Sequence, residues 1–179
     1  MVATWETAIR EQREAKDEYL RTNPHSPIPP AKRASFDGLE YYAPTEKYRF
    51  ELPLHEHEEK ATVTVGTSTG GEQDYHRWGA FRFEIDGETV TLQAYKHDPD
   101  DDRLWVPFRD ATSGEETYGA GRYLDLEAES HRTGDETWIL DFNQAYNPTC
   151  AYSDHYECPL PPTENWLDVA IEAGEKAYD

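Results

Sequence analysis

The stretch FRFEIDGETVTLQA, residues 81–94, decides the fold. Phe81, Phe83 and Ile85 alternate with other residues up to Asp86-Gly87, and Val90, Leu92 and Ala94 alternate after it. A period of two puts each apolar set on one face of a strand, and Asp-Gly between two such runs is tight-hairpin chemistry. The stretch therefore predicts an antiparallel pair.

Working outward, the same period recurs. Upstream it is carried by Tyr48, Phe50, Leu52 and Leu54, then by Ala61, Val63 and Val65, with the loop Thr67–Gly71 before the central hairpin. Downstream, the loop HDPDDD precedes Leu104, Val106 and Phe108, and turn chemistry at Asp110–Gly114 leads into a strand from Thr117 to Leu126. That reads as a second hairpin. Trp138, Leu140 and Phe142 mark a further strand, and a proline-rich C-terminal region ends in an apolar piece, Leu167 to Ile171. Only the N-terminus has helical spacing: Thr4 to Leu20 lacks Gly and Pro and places Trp5, Ile9, Ala15 and Tyr19 near one face, until Asn23-Pro24 stops it. The run HSPIPP after it is a stiff connector.

About eight strands with no helix between them predict a mainly β protein, an antiparallel barrel or sandwich with the N-terminal helix packed outside. A length of 179 residues fits one domain, with a helix in 1–22, a connector in 23–47 and the β-domain in 48–179.

The 37 acidic residues against 17 basic ones give a net charge of -20, and the acids are spread along the chain rather than gathered in a tail. Such a skin repels itself, and salt damps the repulsion over about 3 Å at 1 M. A salty cytoplasm is the solvent this composition fits, and the scarcity of lysine beside arginine agrees. Without a basic run, neither nucleic acid nor an anionic membrane surface is an expected partner. No apolar segment approaches the roughly 20 residues that span a bilayer, and MVATWETAIREQ lacks a signal-peptide core. A reducing compartment implies that Cys150 and Cys158 are thiols, although their closeness in sequence leaves a disulfide open. No oligomeric state is legible.

Three segments, FRDATSGEETYGAGRYLDL, LDFNQAYNPTCAY and CPLPPTENWLDVAIEAGEK, in that order and spacing, resemble the signature of an uncharacterised family, domain of unknown function sixteen eighty-four. The resemblance extends to the helix, to GLEYY from Gly38 and to the run from Tyr75 through Phe83 to Gly87. It implies one intact domain and carries no activity with it.

Arg122 is the most informative single residue. In a strand from Tyr118 its side chain alternates with Tyr118, Ala120, Leu124 and Leu126, which sets a guanidinium on an apolar face. An unpaired charge there costs several kcal/mol, on the order expected for an ion taken out of water, so it needs an anion. The internal candidates are Asp110, Asp141 and Glu164, the commoner arrangement in ordinary domains; the other is a bound carboxylate or phosphate. Tyr118, Tyr123, Asn143, Tyr146 and Asn147 come from the same motifs and offer hydroxyls, amides and flat apolar faces. They equally suit a core and its turns.

Gly119 and Gly121 resemble no phosphate loop, lacking a Gly-Lys pair and a strand-to-helix context. Cys150, His155 and Cys158 have weak metal spacing without a paired CxxC, and His55 and His57 stand among glutamates, so no metal and no cofactor is expected. No Gly-x-Ser-x-Gly elbow is present. The leading expectation is a domain binding a small anionic molecule with Arg122 as anchor. The alternatives are an enzyme, such as a hydrolase, with Asp110, Asp141 or Glu164 as base, and a structural or partner-binding module.

Overall fold

The computed structural model describes residues 2–134, 136–153 and 155–178. Helix α1 (Val2–Thr22) ends one residue before Asn23-Pro24, and a four-residue turn α2 (Pro30–Arg33) starts on a proline, where the missing N–H costs nothing. Its place inside the proline-rich connector is the one helical feature there that the composition did not suggest.

The central hairpin pairs β4 (Glu72–Ile85) with β5 (Glu88–Lys96), with Ile85 opposite Glu88. Its two turn residues, Asp86 at φ 50° and Gly87 at φ 83°, both lie in the left-handed region that a twisted two-residue hairpin requires. On one side β5 meets β6 (Leu104–Phe108) through Tyr95 and Trp105, and β6 pairs with β7 (Arg122–Leu126). On the other side β2 (His55–Glu56) and β3 (Thr62–Gly66) share the far edge of β4, whose register breaks between Arg77 and Gly79. A separate antiparallel pair joins β1 (Arg49–Pro53) to β8 (Thr137–Asp141). A short helix α3 (Ala128–His131) links β7 to β8.

The protein is thus mainly β, with eight strands among the described residues in two antiparallel sheets and a helix at the N-terminus. The ladders of these residues do not close into a barrel. The two sheets face each other across a core of rings: Phe50 lies 4.8 Å from Phe83, and Phe142 packs on Phe50, Phe83 and Phe108. Leu92, Leu104, Val106, Leu124, Leu126 and Leu140 fill the remainder and are all but inaccessible.

Two expected strands are shorter than their periodicity. The strand expected from Thr117 begins only at Arg122, because Gly121 sits at φ 109° and a Cβ there would lie 2.5 Å from the carbonyl oxygen of Phe108. Tyr118 and Ala120 are therefore in the loop and not on the strand face assigned to them. Phe142 opens a 3-10 turn (Phe142–Gln144), because the Asp141 side chain accepts a hydrogen bond from the Asn143 N–H and caps it. The C-terminal stretch forms no strand, yet its backbone is bonded piecewise: Leu167 donates to Arg109, Glu175 to Ala145 and Lys176 to Glu40. This stretch closes the back of the site.

Candidate functional site

Arg122 opens β7 and is fully enclosed. Its Nη2 lies 3.4 Å from Asp110 Oδ2 and donates to the Ile171 carbonyl at 2.9 Å, while Nη1 donates to the carbonyls of Ala173 and of Glu175, the latter at 3.2 Å. The guanidinium also lies over the Phe108 ring at 5.2 Å. Burial works against its charged form, and Asp110 is the main group that opposes this. Asp110 in turn accepts from the Ile171 N–H at 2.6 Å and from the Thr112 hydroxyl at 2.8 Å. Arg122 is therefore a clasp that ties β7 and the Asp110 turn to the C-terminal stretch, and its side chain lines none of the cavities described below. Asp141 and Glu164, the other candidate counter-ions, make no contact with it.

The clasp holds Glu175 in place, and Glu175 is buried where α1 meets the β-structure. Its carboxylate accepts from the Asn147 N–H at 2.9 Å and the Tyr152 hydroxyl at 3.3 Å, and pairs with Lys16 from α1. Beside it Arg13 donates to the carbonyls of Tyr42 at 2.8 Å and Asn143 at 3.3 Å, with its guanidinium 4.5 Å from the centre of the Tyr41 ring. Arg13 Nε is buried without a partner, and desolvation lowers the pKa of this guanidinium, with the nearby Tyr41 acting against it. These groups surround a cavity of about 200 Å³ whose walls also include Gln12, Gln144 and Tyr146.

Tyr146 connects this cavity to a second one. Its hydroxyl donates to Asp125 Oδ2 at 2.5 Å, and burial, then the Asp125 charge, raises its pKa. Asp125 is itself pushed above the ordinary carboxylate value by burial, against the hydrogen bond from Tyr146. On the α1 side Tyr146, Asp125, Asp141, Arg49 and His131 line a cavity of about 490 Å³. Asp141 accepts there from the Trp5 indole at 2.8 Å and from the Asn143 side chain at 2.7 Å.

Of the nine residues singled out in the sequence, Arg122, Asp110, Asn143, Tyr146, Asn147 and Asp141 gather around this junction, as wall or as support. Three stand apart. Tyr118 contacts Cys150 Sγ at 3.4 Å, Tyr123 donates to the Pro159 carbonyl, and Glu164 binds Tyr95 and Arg77 on the other face of the sheet. The side chains that bring positive charge to the cavity, Arg13 and Lys16, lie on the N-terminal helix and are not among those nine. The one available signal was that both lie on the same side of α1, three residues apart. Cys150 and Cys158 are free thiols in the structure, and burial raises the Cys150 pKa. Among the described residues no group of three or more His, Cys, Asp and Glu side chains is placed to hold a metal ion, and no helix is long and apolar enough to cross a membrane.

Residues 34–176, the stretch that carries the clasp and the β side of the junction, match the family described as protein of unknown function (DUF1684). The chain belongs to that family. A DUF1684 match that starts at residue 34 leaves α1, with Arg13 and Lys16, outside the matched stretch. The whole chain is similar to the solution NMR structure of an uncharacterised protein of Haloarcula marismortui, at 41% identity over 98% of this chain and 95% of that one, with a TM-score of 0.74. That similarity covers the helix as well as the sheets. No curated protein matches the chain.

Proposed function

We propose that this DUF1684 protein binds a small anionic molecule in the cavity between α1 and the segment 143–146, with Arg13 and Lys16 as its cations. The observation that carries the reading is the half-buried Arg13 guanidinium, partly desolvated, beside a second cation, two glutamine amides and the rings of Tyr41 and Tyr146. This is the aromatic and amide-rich setting expected for an anchoring arginine, supplied by the helix. Arg122 has a supporting part in the proposal: it fixes the backbone at Ala173 and Glu175, and so the wall opposite α1.

A volume of about 200 Å³ is below the roughly 300 Å³ at which drug-sized pockets begin, which favours a ligand no larger than a small carboxylate or phosphate. Glu175 already gives Lys16 an anionic partner, so an incoming anion shares or takes that ammonium. The natural solvent proposed for this binding is concentrated salt, a reading supported by the charge of -20. Only charge-assisted hydrogen bonds made out of bulk water keep their strength there.

The test is an NMR titration of the full chain with malonate and with inorganic phosphate in molar KCl. Saturable shifts at Gln144 and Tyr146 are expected, weakened roughly tenfold or more in Arg13→Gln and in Lys16→Gln. Glu175→Gln, which withdraws the internal competitor, is expected to tighten binding. Shifts that fail to saturate, or that are the same in Arg13→Gln as in the parent protein with its spectrum otherwise intact, overturn the reading.

A further inference from the structure

The face of the larger sheet turned away from the main core carries a second, separate cluster. Trp105 alternates along β6 with the core residues Leu104 and Val106, and it groups with Val65, Tyr75 and Tyr95. Trp105 stacks on Tyr75 at 4.6 Å between ring centres, and Tyr95 and Tyr123 approach it at 5.9 and 5.2 Å. The hydroxyls of these tyrosines are committed: Tyr75 donates to Gln73, Tyr95 to Glu164 and Tyr123 to Pro159. The rings are held in one arrangement before anything binds.

Part of this wall is open. A cavity of about 320 Å³ is bounded by Tyr75, Tyr95, His97 and Trp105, and its charged groups are Asp101, Asp125 and Arg103. Arg103 reaches only 3.9 Å from Asp101, a loose pair, and it offsets the Asp125 carboxylate, which takes its hydrogen bond from the Tyr146 hydroxyl, only in part. Two carboxylates against one guanidinium leave the cavity one excess negative charge. Aromatic faces attract cations through their negative quadrupole, and a desolvated carboxylate beside them adds a full countercharge.

We infer that this cavity binds a small organic cation of the alkylammonium class, with Trp105 and Tyr75 supplying ring surface and Asp125 the countercharge. Bare inorganic cations are poorly served by a wall this aromatic, whereas a methylated ammonium meets the rings without giving up a tight hydration shell. The two carboxylates outweigh the one guanidinium of Arg103 and make the cavity unfavourable for an anion. The site is distinct from the anion cavity under α1, to which it is linked through the Tyr146–Asp125 hydrogen bond: neither Arg13 nor Lys16 borders it.

The probe is choline, titrated into the full chain in molar KCl and followed through the indole and ring signals of Trp105 and Tyr75. Its neutral isostere, 3,3-dimethyl-1-butanol, separates charge recognition from shape. Choline is expected to give saturable shifts, with the isostere roughly tenfold weaker or worse. Asp125→Asn keeps an acceptor for Tyr146 and is expected to weaken choline roughly tenfold, while Trp105→Leu abolishes the saturable response at Tyr75. Arg13→Gln should leave choline binding unchanged, so that failure of the anion reading and failure of this one are told apart. Absence of saturation, equal binding of the isostere, or an unchanged affinity in a folded Asp125→Asn overturns the inference.

Discussion

At the scale of single residues the strongest constraint is the Arg122 clasp. The guanidinium has traded water for Asp110 and three carbonyls, and removing it strands a buried carboxylate together with those acceptors. Arg122→Ala is expected to lower stability by about 3–5 kcal/mol in urea unfolding at molar salt. Arg122→Lys should recover only part of this, because a single ammonium cannot span acceptors that a planar fork reaches together. A loss under about 1 kcal/mol for Arg122→Ala would contradict the clasp. Asp125 carries a pH prediction. Its folded pKa is raised by burial above the value of 3.8 for a free aspartate, so the folded state holds this proton to higher pH than the unfolded one. The contribution is therefore largest below 3.8 and is lost as pH rises through the folded pKa. Asp125→Asn is expected to melt higher than the parent at neutral pH, with the gap closing as pH falls through that window. An unchanged or lower melting temperature at neutral pH counts against the assignment. The inward arginine was legible because period-two alternation reports the face of a side chain. Its counter-ion Asp110 was legible only as one of three candidate carboxylates, and its carbonyl partners not at all, because pairing depends on how the Asp110 turn and the C-terminal stretch come together across some fifty residues.

At the scale of elements, α1 is joined to the rest mostly by polar contacts: Trp5 to Asp141, Arg13 to Tyr42 and Asn143, and Lys16 to Glu175. Its buried Leu20 belongs to a small cluster with Ile28, Phe36, Leu39 and Tyr152, while the main core contains no residue of α1. Local stability follows apolar contact, so the helix should open without the sheets. Native-state hydrogen exchange is expected to show α1 amides exchanging well before those of β4, β5 and β6, and equal protection throughout would rule this out. The same division explains what the sequence revealed of the elements. Asp86-Gly87 between alternating runs specifies a hairpin by local chemistry alone, and β4 and β5 form as read. The strand expected from Thr117 extended too far because alternation continues through Tyr118 and Ala120, whereas Gly121 sits at a positive φ with no room for a Cβ beside the Phe108 carbonyl. Periodicity cannot register that steric contact. The cavity under α1 was invisible for a related reason: an amphipathic pattern tells that a helix docks, but not which of its cations face the seam.

At the scale of the whole molecule, charge outweighs any single contact. Of the 37 acidic residues, only Asp110, Asp141 and Glu175 are buried among those described, so the repulsion acts across the surface. The few cations do little to offset it there. Lys47, Lys60, Lys96 and Lys176 each lie over an aromatic ring, at 4.1 to 5.3 Å from its centre, and the exposed ion pairs they add contribute little in water. Diluting the solvent from molar salt to tens of millimolar lengthens the screening distance from about 3 Å towards 10 Å and beyond. Acids on neighbouring loops that were mutually screened then repel one another additively, while the unfolded chain relieves that repulsion by expanding. The melting temperature is therefore expected to fall steeply on dilution, and NaCl and KCl at equal ionic strength should protect alike if screening is the cause. The check is a thermal melt across the salt range, read in the far ultraviolet for the helix and by tryptophan fluorescence for the sheets, beside a β protein of near-zero net charge. A midpoint that stays flat or rises as salt is withdrawn would remove the case for a saline solvent, whatever the sheets or cavities bind.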